Sequence, residues 1–192
     1  DVESRGLGDV YKRQKQLVDQ LQGIDSAYYE KNKIFILSQL TKLRQICCHP
    51  ALCYDDYQGS SAKLEACMEL VQRAVKGKHK VLLFSQFTSM LDLIRERLAE
   101  QNTKYYCLTG NTDKQERQRL VDEFQNDDTP VFLISLKAGG TGLNLTAADI
   151  VIHYDPWWNV AAQNQATDRA YRIGQQNPVQ VYKLIAQDLS LI

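Results

Sequence analysis

No apolar run among the 192 residues approaches the roughly 20 that a membrane-spanning helix needs. Neither charge is in surplus: 23 Lys and Arg balance 23 Asp and Glu, so any grip on a polyanion has to come from a local patch. No stretch reads as a secretory signal, and the five cysteines form an odd set, which predicts reduced thiols in a cytosolic protein. The cysteines also lack metal-binding spacing. Cys47 and Cys48 are adjacent, Cys53 follows alone, and no second pair appears, so no metal site is expected. Neither the G-x-x-x-x-G-K-[ST] loop that cradles nucleotide phosphates nor the G-x-G-x-x-G fingerprint of dinucleotide folds is present. What remains is an ordinary globular balance, 44% apolar and 24% charged, with length for one domain of about 100–200 residues and some extra helix.

The two ends read differently from the rest. Ser4–Gln14 (SRGLGDVYKRQ) resembles one reading frame of a transposon sequencing adapter, and Leu189–Ile192 (LSLI) resembles the same adapter read from its other strand. Residues 1–14 and 189–192 are therefore expected to be adapter-derived or poorly ordered, with the natural segment running from about Lys15 to Asp188.

Within that segment, residues 33–47 space Ile36, Leu37, Leu40, Leu43 and Ile46 as one stripe of an amphipathic helix, with Lys42 and Arg44 turned away. His49-Pro50 ends it, and Tyr54–Ser61 reads as a linker, so residues 15–60 are expected to form a helical linker segment. A second helix is predicted over Ala62–Lys76, closed by Gly77. From Lys80 short apolar runs alternate with helices, the pattern of repeated βαβ units and a parallel sheet. Strands are predicted at 80–85, 104–110, 130–136, 149–155 and 179–185. Thr88 is expected to cap a helix through Gln101, Thr112 with Gln115 to form a capping box for a helix through Asn126, and a last helix to span about Asn159–Tyr171. Residues 61–188 thus predict an α/β lobe, a parallel sheet flanked by helices.

Two stretches carry the chemistry. SLKAGGTGLNLTAADIVIHYDPWWN (135–159) places Gly139, Gly140 and Gly142 straight after a buried strand, where glycine lets backbone N–H groups approach a phosphate. Lys137 adds charge there, and Thr141 and Asn144 add hydrogen bonds suited to a nucleic-acid backbone. The glycines also have a plain steric use in tight turns, and each of Trp157 and Trp158 has a plain use as core. In extended chain the two rings point to opposite faces, leaving one available as a strut. QATDRAYRIGQ (165–175) spaces Arg169 and Arg172 three apart, on one face if the helix continues, so that both guanidinium groups could meet one polyanion. A solvated basic face paired to Asp168 is the plainer account of the same residues.

Taken together, the two stretches resemble the fifth and sixth helicase motifs of Swi/Snf-type ATPases in superfamily 2. KVLLFSQFTSML (80–91) resembles their fourth motif and LRQICCHPAL (43–52) their inter-lobe helix. The resemblance implies a RecA-like second lobe that closes on ATP and magnesium held mainly by an N-terminal ATPase lobe of the same protein, and that travels on double-stranded DNA without parting the strands. By position it implies Arg172 and Arg169 as arginine fingers, and Gln165, Asp168 and Gly142 in the nucleotide cleft. It further implies Gln86, Thr88, Lys137, Thr141, Asn144 and Trp158 as DNA contacts, and Asp149 as a coupling residue between the two sites. No membrane partner is implied. The linker helix resembles bacterial members, which implies a cytoplasmic, nucleoid-associated protein and not a nuclear one. Two other readings stay open: a lobe of a strand-separating helicase of the same superfamily, and a free-standing binding lobe without enzymatic activity.

Overall fold

The computed structural model describes residues 26–138, 143–156, 160–170, 175 and 178–186, with 26–31 and 160–163 as backbone only. The adapter-like ends, the loop glycines, Thr141, Trp157, Trp158, Tyr171 and Arg172 lie outside the described residues. The chain divides into two compact units, residues 1–62 and 63–192.

The first unit is built on helix α1 (Ser26–Cys48), longer than expected and interrupted at Asn32, whose backbone leaves helical values (φ −117°, ψ 17°). Ile36, Leu43 and Ile46 are buried as the periodicity requires. Leu37 is a correction: one residue from Ile36 means about 100° around the axis, and its side chain is 48% exposed. A short 3-10 turn at Pro50–Leu52 follows, with His49 Nδ1 accepting from Ala51 N at 3.2 Å. The Cys47 thiol donates to Leu43 O at 2.7 Å, and all five cysteines are free thiols.

In the second unit α2 (Ala62–Lys76), α3 (Thr88–Glu100), α4 (Lys114–Asn126) and α5 (Val160–Thr167) alternate with β1 (Val81–Ser85), β2 (Tyr105–Leu108), β3 (Val131–Ser135), β4 (Ile150–His153) and β5 (Gln180–Lys183). All four pairings are parallel and the strand order is β2-β3-β1-β4-β5. The expected five-stranded sheet is present because β1, β3 and β4 are near-continuous apolar runs, the composition of strands covered on both faces; every residue of the three is buried. One face holds a single core of Leu82, Phe84, Phe132, Ile134 and Val151 under Leu120, Val121 and Phe124 of α4 and Ala166 of α5. Each such side chain stabilises the fold by about 1.5–3 kcal/mol through lost apolar contact with water.

The helix ends depart from expectation in an instructive way. Phe87, not Thr88, is the N-cap of α3 and provides no side-chain bond; Thr88 is already helical. For α4 the cap is Asp113, whose carboxylate accepts from Gln115 N and Glu116 N at 2.9 and 3.0 Å. Thr112 Oγ1 is occupied by Thr109 N at 3.1 Å, so the capping box does not form. At the end of α2 the left-handed residue is Lys78 (φ 60°), one place beyond Gly77. The paired bonds His79 N to Ala74 O and Lys78 N to Val75 O put that position at Lys78. Asn102 (φ 52°) does the same after α3. β5 is an edge strand with exposed Gln180, Val181 and Lys183.

Candidate functional site

Ligands of open parallel sheets gather outside the carboxyl ends of the strands, where successive connections leave to opposite sides. Here that crevice lies between β1, which leads across to β2, and β4, which leads to β5. Three loops line its rim. Leu136 N donates to Ser85 O at 2.9 Å and Tyr154 N to Phe84 O at 3.0 Å, tying the loops after β3 and β4 to the end of β1. Across the crevice the main-chain N–H of Gln86 donates to both oxygens of the buried Asp155, at 3.0 and 3.2 Å. Burial of a carboxylate is costly unless its oxygens are bonded, and this contact meets part of that need. Within the loops, Ser85 Oγ accepts from Phe87 N at 3.1 Å and Ser135 Oγ from Ala138 N at 3.3 Å, each hydroxyl closing a tight turn.

This arrangement brings Gln86, Thr88 at the start of α3, and Lys137 onto neighbouring parts of the rim, with Thr88 and Lys137 exposed and Gln86 half-buried. Asn144 is exposed as well, on a groove of about 700 Å³ whose far wall is one side of α4 from Lys114 to Gln125, including Arg117. Arg117 donates to Ala138 O at 3.0 Å, linking that wall to the loop after β3. Sequence reasoning passed over Lys114 and Arg117, which sit in an ordinary amphipathic helix with no motif to mark them.

The arginine-bearing segment is a correction. α5 stops at Thr167, and Asp168–Ala170 form a tighter turn through Arg169 N to Ala166 O (3.3 Å) and Ala170 N to Thr167 O (3.1 Å). Thr and Asp favour the helix interior weakly, and bonds from outside the helix hold the turn instead. Arg169 is therefore off the helix, and its side chain is 1% exposed. Arg172 lies outside the described residues. Gln165 on α5 and Asp168 on the turn are exposed.

Three points outside α5 fix the turn. Thr167 Oγ1 pairs with His153 Nε2 at 3.0 Å, and Leu145 N donates to Arg169 O at 3.1 Å. Gln175 Nε2 donates to Ala170 O (3.1 Å) and to Thr146 O and Ala148 O (3.1 and 2.8 Å), so one amide bridges the turn and the segment that follows Asn144. His153 is buried and stacked on Phe84, ring centres 5.6 Å apart. Burial, helped by the positive charge of Lys183, pushes its pKa down to about 4, so the ring is neutral at physiological pH. His153, Asp155 and Gln175 were not singled out from the sequence. A histidine and an aspartate closing an otherwise apolar strand were the available signal for the first two, while for Gln175 it was its place at the end of the QATDRAYRIGQ stretch.

Asp149, which the resemblance implies as a coupling residue, lies away from this rim. It precedes β4, on the edge where the strands begin, and pairs with His79 Nδ1 at 2.7 Å. A strand of four residues spans about 13 Å, which separates Asp149 from the rim that carries Gln86 and Lys137. Its observed work is to join the starts of β1 and β4, with Asp149 N also donating to Lys80 O at 3.2 Å.

The helicase conserved C-terminal domain model matches residues 62–174. A candidate ATP-dependent helicase/translocase, YwqA, of Bacillus subtilis is 48% identical over 162 residues, 81% of this chain and 18% of that protein. Among solved structures, the Sulfolobus solfataricus SWI2/SNF2 ATPase core domain aligns with a TM-score of 0.78 at 40% identity, covering 93% of this chain and 37% of that one. The same core in complex with double-stranded DNA aligns with a TM-score of 0.75 at 36% identity, covering 94% and 38%. The chain spans only 15% to 18% of the length of the first curated relatives it matches. With the sheet order, the crevice and the two motif stretches in the places described, the chain belongs to the helicase C-terminal domain family, as a RecA-like lobe of the SWI2/SNF2 ATPase type.

Proposed function

We propose that this chain is the second lobe of a cytoplasmic motor that moves along double-stranded DNA at the expense of ATP. The observation that carries the reading is its likeness to an archaeal SWI2/SNF2 core solved with double-stranded DNA. The exposed placement of Thr88, Lys137 and Asn144 supports it. In this reading those side chains, with Gln86, Thr141 and Trp158, meet the sugar-phosphate backbone, which makes binding tolerant of sequence and sensitive to salt.

Arg172 is the proposed arginine finger, a fixed positive charge offered to the phosphoryl group in transfer, while Gln165, Asp168 and Gly142 border the nucleotide. Arg169, being interior, is assigned to hold the shape of that segment. The sequence has no phosphate-gripping loop, so the triphosphate belongs to an N-terminal ATPase lobe of the parent protein. In this reading magnesium is held with the nucleotide, mainly by that N-terminal lobe. The lobe alone is accordingly expected to hydrolyse no ATP and to bind DNA weakly.

The test is Arg172→Ala in the full-length parent. DNA-stimulated hydrolysis should fall by about 10³-fold or more, with ATP affinity changed only a few-fold. Retained hydrolysis would remove Arg172 from the role. Displacement of a triple-helix-forming strand without separation of the duplex should accompany hydrolysis, whereas strand separation would favour the helicase reading.

A further inference from the structure

The Gln175 side chain occupies a position that packing alone does not explain. Its amide nitrogen lies within hydrogen-bond distance of three main-chain carbonyls from two separate stretches: Ala170 at 3.1 Å on the arginine turn, and Thr146 and Ala148 at 3.1 and 2.8 Å on the segment that begins at Asn144. An amide has two N–H groups, so the three acceptors share them, and both stretches must keep their present spacing for all to be served. One further bond runs between the same stretches, Leu145 N to Arg169 O at 3.1 Å, and it joins the residue after Asn144 to the first arginine. The turn and the segment are thereby cross-linked at two points, Gln175 and Leu145. The segment is also tied to α4, through Ala147 N to Gln125 Oε1 (2.7 Å) and Gln125 Nε2 to Thr146 Oγ1 (3.1 Å), but those bonds do not touch the arginine turn.

We propose that Gln175 is the positioning residue that couples DNA contact to nucleotide closure, by locking the Asn144–Ala148 segment to the turn that carries Arg169 and leads to Arg172. This rests on the function proposed above, in which the first stretch meets DNA and the second meets ATP. A shift of Asn144 against a phosphate is passed through the carbonyls of Thr146 and Ala148 to Ala170 by the Gln175 amide, beside the Leu145 N to Arg169 O bond.

The experiment uses the full-length parent and compares Gln175→Met, Gln175→Lys and Gln125→Met. Gln175→Met keeps the volume and removes the donors, Gln175→Lys retains N–H donors on a chain long enough to reach, and Gln125→Met loosens the same segment from α4 only. Steady-state ATP hydrolysis is measured with and without linear duplex DNA, beside DNA affinity and thermal unfolding. Gln175→Met should lose about tenfold in the ratio of stimulated to basal kcat, the scale of one buried hydrogen-bond set. Basal kcat, KM for ATP and Kd for DNA should stay within about twofold, as expected of a group that touches neither ligand. Gln175→Lys should recover most of the ratio, and Gln125→Met should keep it despite a lowered Tm. Unchanged stimulation in Gln175→Met overturns the proposal, as does loss in Gln125→Met that matches it at equal Tm. Should Gln175→Met not fold, loss of stimulation in a folded Gln175→Lys overturns it and retention supports it. A wild-type parent that shows no DNA stimulation at all sinks the motor reading itself and the coupling with it, whereas a stimulated wild type with insensitive variants sinks the coupling alone.

Discussion

The Asp155 carboxylate receives the main-chain N–H of Gln86 on both oxygens, at 3.0 and 3.2 Å, so the loops that follow β1 and β4 close on one another across the crevice. Asp155→Ala leaves that N–H without its acceptor and should cost about 1–3 kcal/mol. Asp155→Asn, which retains one oxygen, should cost less. Urea titration of the isolated lobe reads both values, and a loss no larger than that of a surface substitution would contradict the link.

Asp149 provides the contrasting case. Its bond to His79 is half-exposed on the histidine side, so screening by water keeps its value small. Asp149→Asn should lower stability by less than about 1 kcal/mol and leave DNA-stimulated hydrolysis in the parent intact. A large fall in stimulation at unchanged Tm would return Asp149 to a coupling role.

His153 gives the lobe an acid-sensitive stability. Its folded pKa, about 4, lies below the ordinary value of 6.5, so the unfolded chain takes up a proton that the folded chain refuses. Stability from this site is complete above about pH 6.5 and is lost as pH falls toward 4, by up to about 3 kcal/mol. His153→Phe keeps the stacking on Phe84 and should flatten the dependence of the urea midpoint between those pH values. A slope that persists unchanged in the variant would assign it to other groups.

The two arginines should separate by phenotype. Arg169→Met disrupts an interior cation with its bonded surroundings and should destabilise by more than about 2 kcal/mol. Arg172→Ala, the proposed finger, should remove hydrolysis with a Tm close to that of the parent. Equal loss of stability in both would place the two side chains in one structural role.

The sheet was readable because β1, β3 and β4 are apolar throughout, a composition with few other uses in a chain of this length. The edge that carries Asp149 was readable as well, since a residue preceding a parallel strand sits where strands begin. The caps were not readable, as Thr112 and Asp113 are both good candidates and only the fold decides which one faces the helix. The end of α5 and the interior place of Arg169 were hidden for a related reason. Helical spacing reports which residues share a face, but not where bonds from Leu145, His153 and Gln175 override the helix. Of the candidate site, residue types and motif order were visible, while the amide bridge at Gln175 exists only in three dimensions.

β5 is held by one ladder to β4 and shows solvent most of its side chains, so little free energy is gained by keeping it in place. Opening of that strand alone would leave the other four strands of the sheet paired as they are. Amide exchange within the sheet is therefore expected to be fastest on this strand, at Val181.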